Sequence, residues 1–473
     1  METRLQAEER VLSTLNKDGS RRWMKPRLST GRYWKARRIT AYVLILIFTA
    51  LPYVNINGKP AILLDIIARE FTFFGKTLFA TDTLLLALFM MTVFVAVFLA
   101  TALAGRVWCG WACPQTVYME FVYRPVERFF DGKPGTRPKP GATGIRKLLK
   151  YLTYVAISAI LAHTFLAYFV GVENLRHWVF DSPAKHPVAF AVMLLTTGLM
   201  LFDFGLFREQ TCIVACPYGR FQSVMLDRSS LIVGYDKKRG EPRGAIKRKV
   251  RNGDVSLNVV EASQGDCIDC KMCVTTCPTG IDIRDGLQLE CIHCAQCIDA
   301  CDAVMDKVGR PRGLIRYSSQ ETLDGQPRRL LRPRVILYPL LLMVLVSVFL
   351  AVLLTRSSAE VRMIREAGSL FNVLPEGQIM NQARLRVTNR SAEPVTYSAQ
   401  VIAPARGVGI ELVPSEITLQ PNKMDSMMAR VIAEPAVFTT SPVDITVRVH
   451  GSDGFEKELH FPLHGRIWHG GTP

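Results

Sequence analysis

The chain has 473 residues, 49% of them hydrophobic, with 12 cysteines and a formal net charge of +17. That length holds three or four domains, and the basic excess would suit nucleic acid if it were gathered on one face. Instead Lys and Arg alternate: 11 precede the first long apolar stretch, then 3, 9, 2 and 21 fall between stretches, and 12 follow the last. Such alternation is a membrane-topology pattern, which argues against nucleic acid as a partner.

Residues 1–38 carry Arg21, Arg22, Lys25, Arg27, Arg32, Lys35, Arg37 and Arg38, interleaved with Trp23, Tyr33 and Trp34. Basic and aromatic residues ahead of a span anchor at anionic headgroups or serve as a solvated orienting tail. Five apolar stretches follow, at about 39–54, 83–104, 151–171, 188–207 and 335–354. Each approaches the roughly 20 residues a bilayer crossing needs; the first is short and broken at Pro52. No cleavable signal is expected, because a long charged segment precedes the first stretch. The charge rule places the N-terminus, 105–150 and 208–334 in the cytoplasm and the tail after 354 outside. All twelve cysteines fall in or beside the reducing side, where thiols and oxygen-sensitive groups belong.

Two cysteine pairs follow the second and fourth stretches. Cys109 and Cys113 precede Pro114, and Cys212 and Cys216 precede Pro217, each in the pattern CxxACP. The match points to a parallel internal repeat whose pairs converge on one site. On a continuous helix, residues i and i+4 share a face about 6 Å apart, so two thiolates would grip one soft ion. Soft thiolates select Cu(I), zinc or iron–sulfur clusters; spacing does not choose among copper, a third cluster and a redox-cycling dithiol. Arg106, Arg208 and Arg220 are expected to favour the thiolate forms. His163, midway along the third stretch, reads as a structural hydrogen bond. Asp203, near the end of the fourth, is a lesser candidate for proton or metal transfer. Met90, Met91, Met193 and Met200 read as packing. The segment 131–144 is dense in Pro and Gly and reads as a linker.

Residues 266–306 hold the remaining eight cysteines. Cys267, Cys270, Cys273 and Cys277, followed by Pro278, and then Cys291, Cys294, Cys297 and Cys301 each read CxxCxxCxxxC. That is the ligand run of a two-cluster ferredoxin, in which the fourth cysteine of each run crosses to the other cluster. The expected sets are therefore Cys267, Cys270, Cys273 and Cys301 around one [4Fe–4S] cluster, and Cys291, Cys294, Cys297 and Cys277 around the second. Zinc sites or disulfides are the alternatives, but zinc sites use fewer thiols more widely spaced. Asp302 stands after Cys301, where a proline follows Cys277.

From about 360 the rhythm changes to alternation, at Ala383-Leu385-Val387, Val395-Tyr397-Ala399-Val401 and Ile445-Val447-Val449, with a turn at Ser452-Asp453-Gly454. Short strands at regular spacing predict a β-sandwich of about 110 residues. His450, His460, His464 and His469 read as incidental to any metal. No dinucleotide fingerprint, Walker loop or HExxH motif is present, so electrons must come from a separate donor.

Taken together, RVWCGWACPQTVYMEFVYRPVE, TCIVACPYGRFQSVM and the double ferredoxin run resemble the cytochrome c oxidase accessory family called CcoG, FixG or RdxA, over nearly the whole chain. The resemblance implies an α-helical membrane protein of about five spans, with an inserted α+β ferredoxin module and a C-terminal immunoglobulin-like β-sandwich. Its domains would be 1–38, a membrane domain at 39–227, a cytoplasmic segment at 228–334 with the module at about 266–306, the fifth span at 335–354, and a periplasmic domain at 360–473. It implies a bacterial inner-membrane protein that reduces Cu(II) to Cu(I) for assembly of a cbb3-type oxidase. Cys109, Cys113, Cys212 and Cys216 would be its metal or redox thiols. Copper ions, oxidase subunits or copper chaperones and a cytoplasmic electron donor would be partners, with homo-oligomerisation open. The competing readings are a quinol-oxidising electron conduit and a non-enzymatic assembly scaffold.

Overall fold

In the computed structural model the chain divides into two compact units, Met1–Phe349 and Leu350–Pro473. The described residues are 13–14, 18, 20–56, 59–67, 70–74, 76–79, 83–132, 144–245, 249–251, 254–256, 265–327, 331–391, 393–404, 406–421 and 423–467. Most of the predicted linker at 131–144, and His469, lie outside them.

Among the described residues, five helices are long and apolar enough to cross a bilayer: Arg32–Tyr53, Thr83–Ala104, Ile145–Val170, Pro187–Phe207 and Pro333–Leu354. The last has a mean hydropathy of 2.8 and no buried residue. A surface that apolar needs lipid around it, which makes the chain a membrane protein. Tyr118, Tyr123, Tyr154 and Phe204 pack the bundle interior. There the Tyr123 and Phe204 rings stack at 4.4 Å and the Tyr123 hydroxyl meets Ser158 Oγ at 2.7 Å.

The first helix corrects its predicted bounds. It runs Arg32–Ala50 rather than from 39, because its charged first turns are held by protein where hydropathy sees only the lipid-facing part. The Tyr33 and Trp34 amides donate to the two carboxylate oxygens of Asp299 at 3.1 and 2.7 Å. A carboxylate on open N–H groups satisfies them and opposes the positive end of the helix. Arg27 reinforces the docking: its amide donates to the Thr275 carbonyl, and its carbonyl accepts from the Thr276 hydroxyl. Residues 20–38 are therefore neither a free tail nor a simple headgroup anchor. A three-stranded antiparallel sheet, Ile62–Asp65, Glu70–Phe73 and Lys76–Phe79, follows the first span; hydropathy had given no sign of it.

The eight ferredoxin cysteines lie between Ile232–Tyr235 and Ile315–Ser318, which pair antiparallel. This ribbon closes the module at both ends and supplies Val233, Tyr235 and Ile315 to its core. Ile281, Ile283, Ile298, Met305 and Leu314 join them, along with four of the cysteines.

The second unit is the predicted sandwich. One sheet runs in the order Ala359–Arg365, Ile379–Asn389, Met424–Ala433, Val408–Val413, with Asn372–Val373 beside the second strand. The other runs Ile417–Leu419, Val395–Ala403, Val443–Gly451, Glu456–Leu463. Leu385 lies opposite Met427 and Ala383 opposite Ala429, and all four are fully buried. Ile445, Val447 and Val449 do the same in the facing sheet, as a period of two requires.

Candidate functional site

Each ferredoxin loop bends twice, and at matching places. Asp269 and His293, two residues after the first cysteine of each run, have φ of 50° and 53°. Lys271 and Ala295, one residue after the second cysteine, have φ of 54° and 61°. A side chain in the left-handed region costs on the order of 1–3 kcal/mol unless its surroundings enforce it. The duplicated bends aim backbone donors at sulfur: the His293 amide at Cys291 and the Gln296 amide at Cys294.

The sulfurs group crosswise. Cys301 is electrostatically coupled to Cys273, Cys270 and Cys267, whereas Cys291 and Cys297 are coupled to Cys277. Cys277, Cys291, Cys294 and Cys297 line a shared pocket that Cys273 also reaches. Burial pushes the Cys273, Cys291 and Cys301 thiols up to about 12; only a cationic partner makes such sulfurs good thiolate ligands. Among the described residues no three Cys, His, Asp or Glu groups stand close enough to hold a single ion. The quartets therefore do not close on one ion, and the buried Nη2 of Arg37 has no hydrogen-bond partner. These residues fit two iron–sulfur clusters.

The four CxxACP thiols lie within one another's electrostatic reach, although no three of them stand close enough to hold a single ion. Cys109 is coupled to Cys113 and Cys216, and Cys212 to all three of the others. The local geometry corrects the helical-face expectation. Cys109 sits in a single helical turn, Val107–Trp111, which ends at Ala112. Cys113 is extended and caps the helix that starts at Pro114. Cys216 is likewise extended, ahead of Pro217–Met225, with its Sγ accepting from the Gly219 amide at 3.4 Å. Proline fits the first position of a helix, where it lacks only an N–H that would have no partner. In both repeats it therefore starts a new helix, so neither pair lies along one continuous helical face.

The arginines also behave differently from expectation. Burial raises the Cys109 thiol despite Arg106, raises Cys113, and pushes Cys212 up to about 12. Arg208 pairs with Glu127 at 3.0 Å and Glu209 at 3.6 Å, and Arg220 is exposed. Desolvation outweighs the one nearby cation. Asp203 joins the site, accepting from Gln115 Nε2 at 3.1 Å and from the Thr211 hydroxyl. His163 Nδ1 meets its own helix at the Ala159 carbonyl, 2.8 Å away, the structural bond expected of it. In the sandwich, His450 bonds Gln400 and Glu456.

Several site residues escaped sequence reasoning. The Cys109 thiol donates to Gln222 Oε1 at 3.1 Å, and Gln222 Nε2 reaches Thr101 and the Tyr218 hydroxyl at 2.9 and 2.7 Å. Trp111 Nε1 donates to the Tyr317 hydroxyl at 3.0 Å, and that hydroxyl donates to the His293 carbonyl at 2.6 Å. The His293 ring, held neutral by burial with a pKa lowered to about 3, accepts the Arg106 amide at 3.1 Å. These bonds join the CxxACP segment to the second ferredoxin loop. Cys109, Ile292 and Cys294 form one buried cluster. A Cβ on Gly110 would stand 2.5 Å from the Ile292 carbonyl and 2.9 Å from Cys294 backbone. The only local signal was the glycine inside CGWAC, and it does not name its neighbour.

Comparison with known proteins agrees with this layout. Residues 207–320 match the family described as 4Fe-4S dicluster domain, 86–137 a 4Fe-4S binding domain, and 349–462 the "IG-like fold at C-terminal of FixG". The chain is 36% identical to protein RdxA of Cereibacter sphaeroides over 388 residues, 78% of this chain and 80% of that one. It is 33% identical to nitrogen fixation protein FixG of Rhizobium meliloti over 426 residues, 80% and 79% of the two chains. A crystal structure of a FixG-related protein from Vibrio parahaemolyticus is 20% identical, covering 23% of this chain and 97% of its own, with a TM-score of 0.21. The chain belongs to the family of RdxA and FixG, membrane iron–sulfur proteins of electron transfer.

Proposed function

We propose that this member of the FixG family reduces Cu(II) to Cu(I) at the Cys109, Cys113, Cys212 and Cys216 site, for building the copper centre of a cbb3-type cytochrome c oxidase. The observation that carries the reading is the direct packing of Cys109 against Cys294, which puts a thiol site beside a cluster-type loop. Cys267, Cys270, Cys273 and Cys301 would hold one [4Fe–4S] cluster, and Cys277, Cys291, Cys294 and Cys297 a second. When bound, such clusters supply single-electron transfer, the stoichiometry that Cu(II) requires. The electron originates from a separate donor protein, on the cytoplasmic side if the charge rule holds.

The chain's own residues do the rest. The CxxACP thiols, Cys109 buried and the other three half-buried, would favour the soft Cu(I) product over Cu(II). Burial raises the Cys109, Cys113 and Cys212 thiols, so metal entry and proton release would be linked there. Gln222 and the Gly219 amide hold two of the sulfurs in place. By the same charge rule the sandwich faces the periplasm of an inner membrane, where it would dock oxidase subunits or copper chaperones.

The test is anaerobic purification of wild type and of the Cys109→Ala, Cys212→Ala double variant, with iron, sulfide and copper analysis. Dithionite-reduced wild type should be reoxidised by Cu(II). The double variant should lose copper binding at least tenfold while iron stays near wild type. A second reading has its own support, since residues 86–137, whose only cysteines are Cys109 and Cys113, match a 4Fe-4S binding domain. A parallel fall in iron would place a third cluster at this site and displace the copper assignment.

A further inference from the structure

The two ferredoxin loops repeat each other in cysteine spacing and backbone bends, but their surrounding charges are unlike. On the first loop the nearby cation is Arg284, which is coupled to Cys273. It is neutralised locally, by Asp269 and Asp282, each at 2.6 Å. The second loop has two buried arginines, Arg37 and Arg106, and neither forms an ion pair with a carboxylate among the described residues. Arg37 is fully buried. Its Nε donates to the Gly110 carbonyl at 2.8 Å, and its Nη1 reaches the Gln296 amide oxygen at 3.1 Å once that amide is oriented to suit its neighbours. Its Nη2 has no partner. Arg106 is 2% exposed, donates to the Leu289 carbonyl and leaves its Nε unpartnered. Arg37 is coupled to Cys294, and Arg106 to Cys291 and Cys109.

The carboxylate that acts on Arg37, Asp299, makes no contact with it and has both oxygens taken by the Tyr33 and Trp34 amides. Burying a cation without a contacting counter-charge is costly, so two of them beside one thiol quartet point to an anion that belongs there. Other buried arginines of the membrane rim are matched within the protein: Arg124 pairs with Glu120 and Glu209, and Arg208 with Glu127. The surplus positive charge is specific to the second loop.

We propose that Arg37 and Arg106 are potential-setting residues: their unpaired charges make the group held by Cys277, Cys291, Cys294 and Cys297 easier to reduce than the group held by Cys267, Cys270, Cys273 and Cys301. Electrons then settle on the side that touches Cys109. The inference rests on the two-cluster reading and adds an order to it. Positive charge in a low-dielectric site favours the reduced, more negative form.

The test is an anaerobic redox titration followed by electron paramagnetic resonance on the full chain in detergent, comparing wild type with R37Q, R37K and R106Q. In wild type the two clusters should titrate separately. The higher-potential signal should persist in Cys270→Ala, which disrupts the first site. R37Q and R106Q should each lower the reduced fraction of that signal roughly tenfold at fixed potential, equivalent to about 59 mV for a one-electron couple. The other signal should not move, and R37K should stay near wild type. Equal shifts of both clusters, or of neither, overturn the proposal. So does loss of second-site iron in both glutamine variants, which would make the arginines merely structural. Absence of any cluster signal in wild type would instead sink the two-cluster reading itself.

Discussion

The ferredoxin module and the C-terminal sandwich bury comparable sets of side chains for different reasons. The sandwich core is Val, Leu, Ile, Met and Phe on alternating strand positions, with Leu385, Met427, Val447 and Leu463 fully enclosed. Apart from a bulge between Val401 and Ala403, the paired strands there keep register, so apolar burial goes far to specify it. The module's core counts Cys267, Cys273, Cys291 and Cys301 among its buried residues, and four non-glycine residues in the left-handed region shape its loops. Thiols held that way in strained turns, with Cys273, Cys291 and Cys301 raised by burial, are organised around something the polypeptide does not supply. One region is stable by its own composition; the other is a frame for a ligand.

Removing the iron should break this contrast most visibly. Chelation under oxidising conditions is expected to open residues 265–318 to protease while 359–463 stays protected, because metal binding and folding are linked only in the module. Equal protection of both regions would show that the module holds its shape unaided. The converse is Leu385→Ala, which leaves a cavity at the centre of the sandwich and should destabilise it by about 2–5 kcal/mol. Iron content and cluster spectra should stay at wild-type values, and a drop in either would contradict the independence of the two cores. The smallest effect sharpens the comparison within the module. Lys271 is exposed and has φ of 54°, so Lys271→Gly relieves strain without removing a contact. It should stabilise the iron-free module by about 1 kcal/mol, read as slower proteolysis, and unchanged or faster cleavage would mean that the bend carries no strain.

How legible the molecule was in its sequence followed the range of the forces involved. The helices Thr83–Ala104 and Pro333–Leu354 and the strands through Leu385, Tyr397 and Val447 were plain from period and hydropathy, because one solvent-facing rule fixes each. The first helix was misplaced by seven residues, since Asp299, more than 260 positions away, caps it. The i, i+4 geometry of the CxxACP pairs failed because Pro114 and Pro217 each begin a helix, although proline's preference for that position was available to be used.

That the twelve cysteines fall into four tight groups was plain from their spacing, for thiol ligands to a shared group recur at short intervals and those intervals survive without a structure. Where the two sulfur assemblies stand relative to one another was not. That Gly110 lies against Ile292 and Cys294, that Tyr317 joins Trp111 to His293, and that Arg37 is buried with no carboxylate in contact among the described residues are facts of three-dimensional packing. They arise from contacts between residues that are in part far apart in the chain, Trp111 and Tyr317 by 206 positions, and no local propensity encodes the electric field that such contacts create.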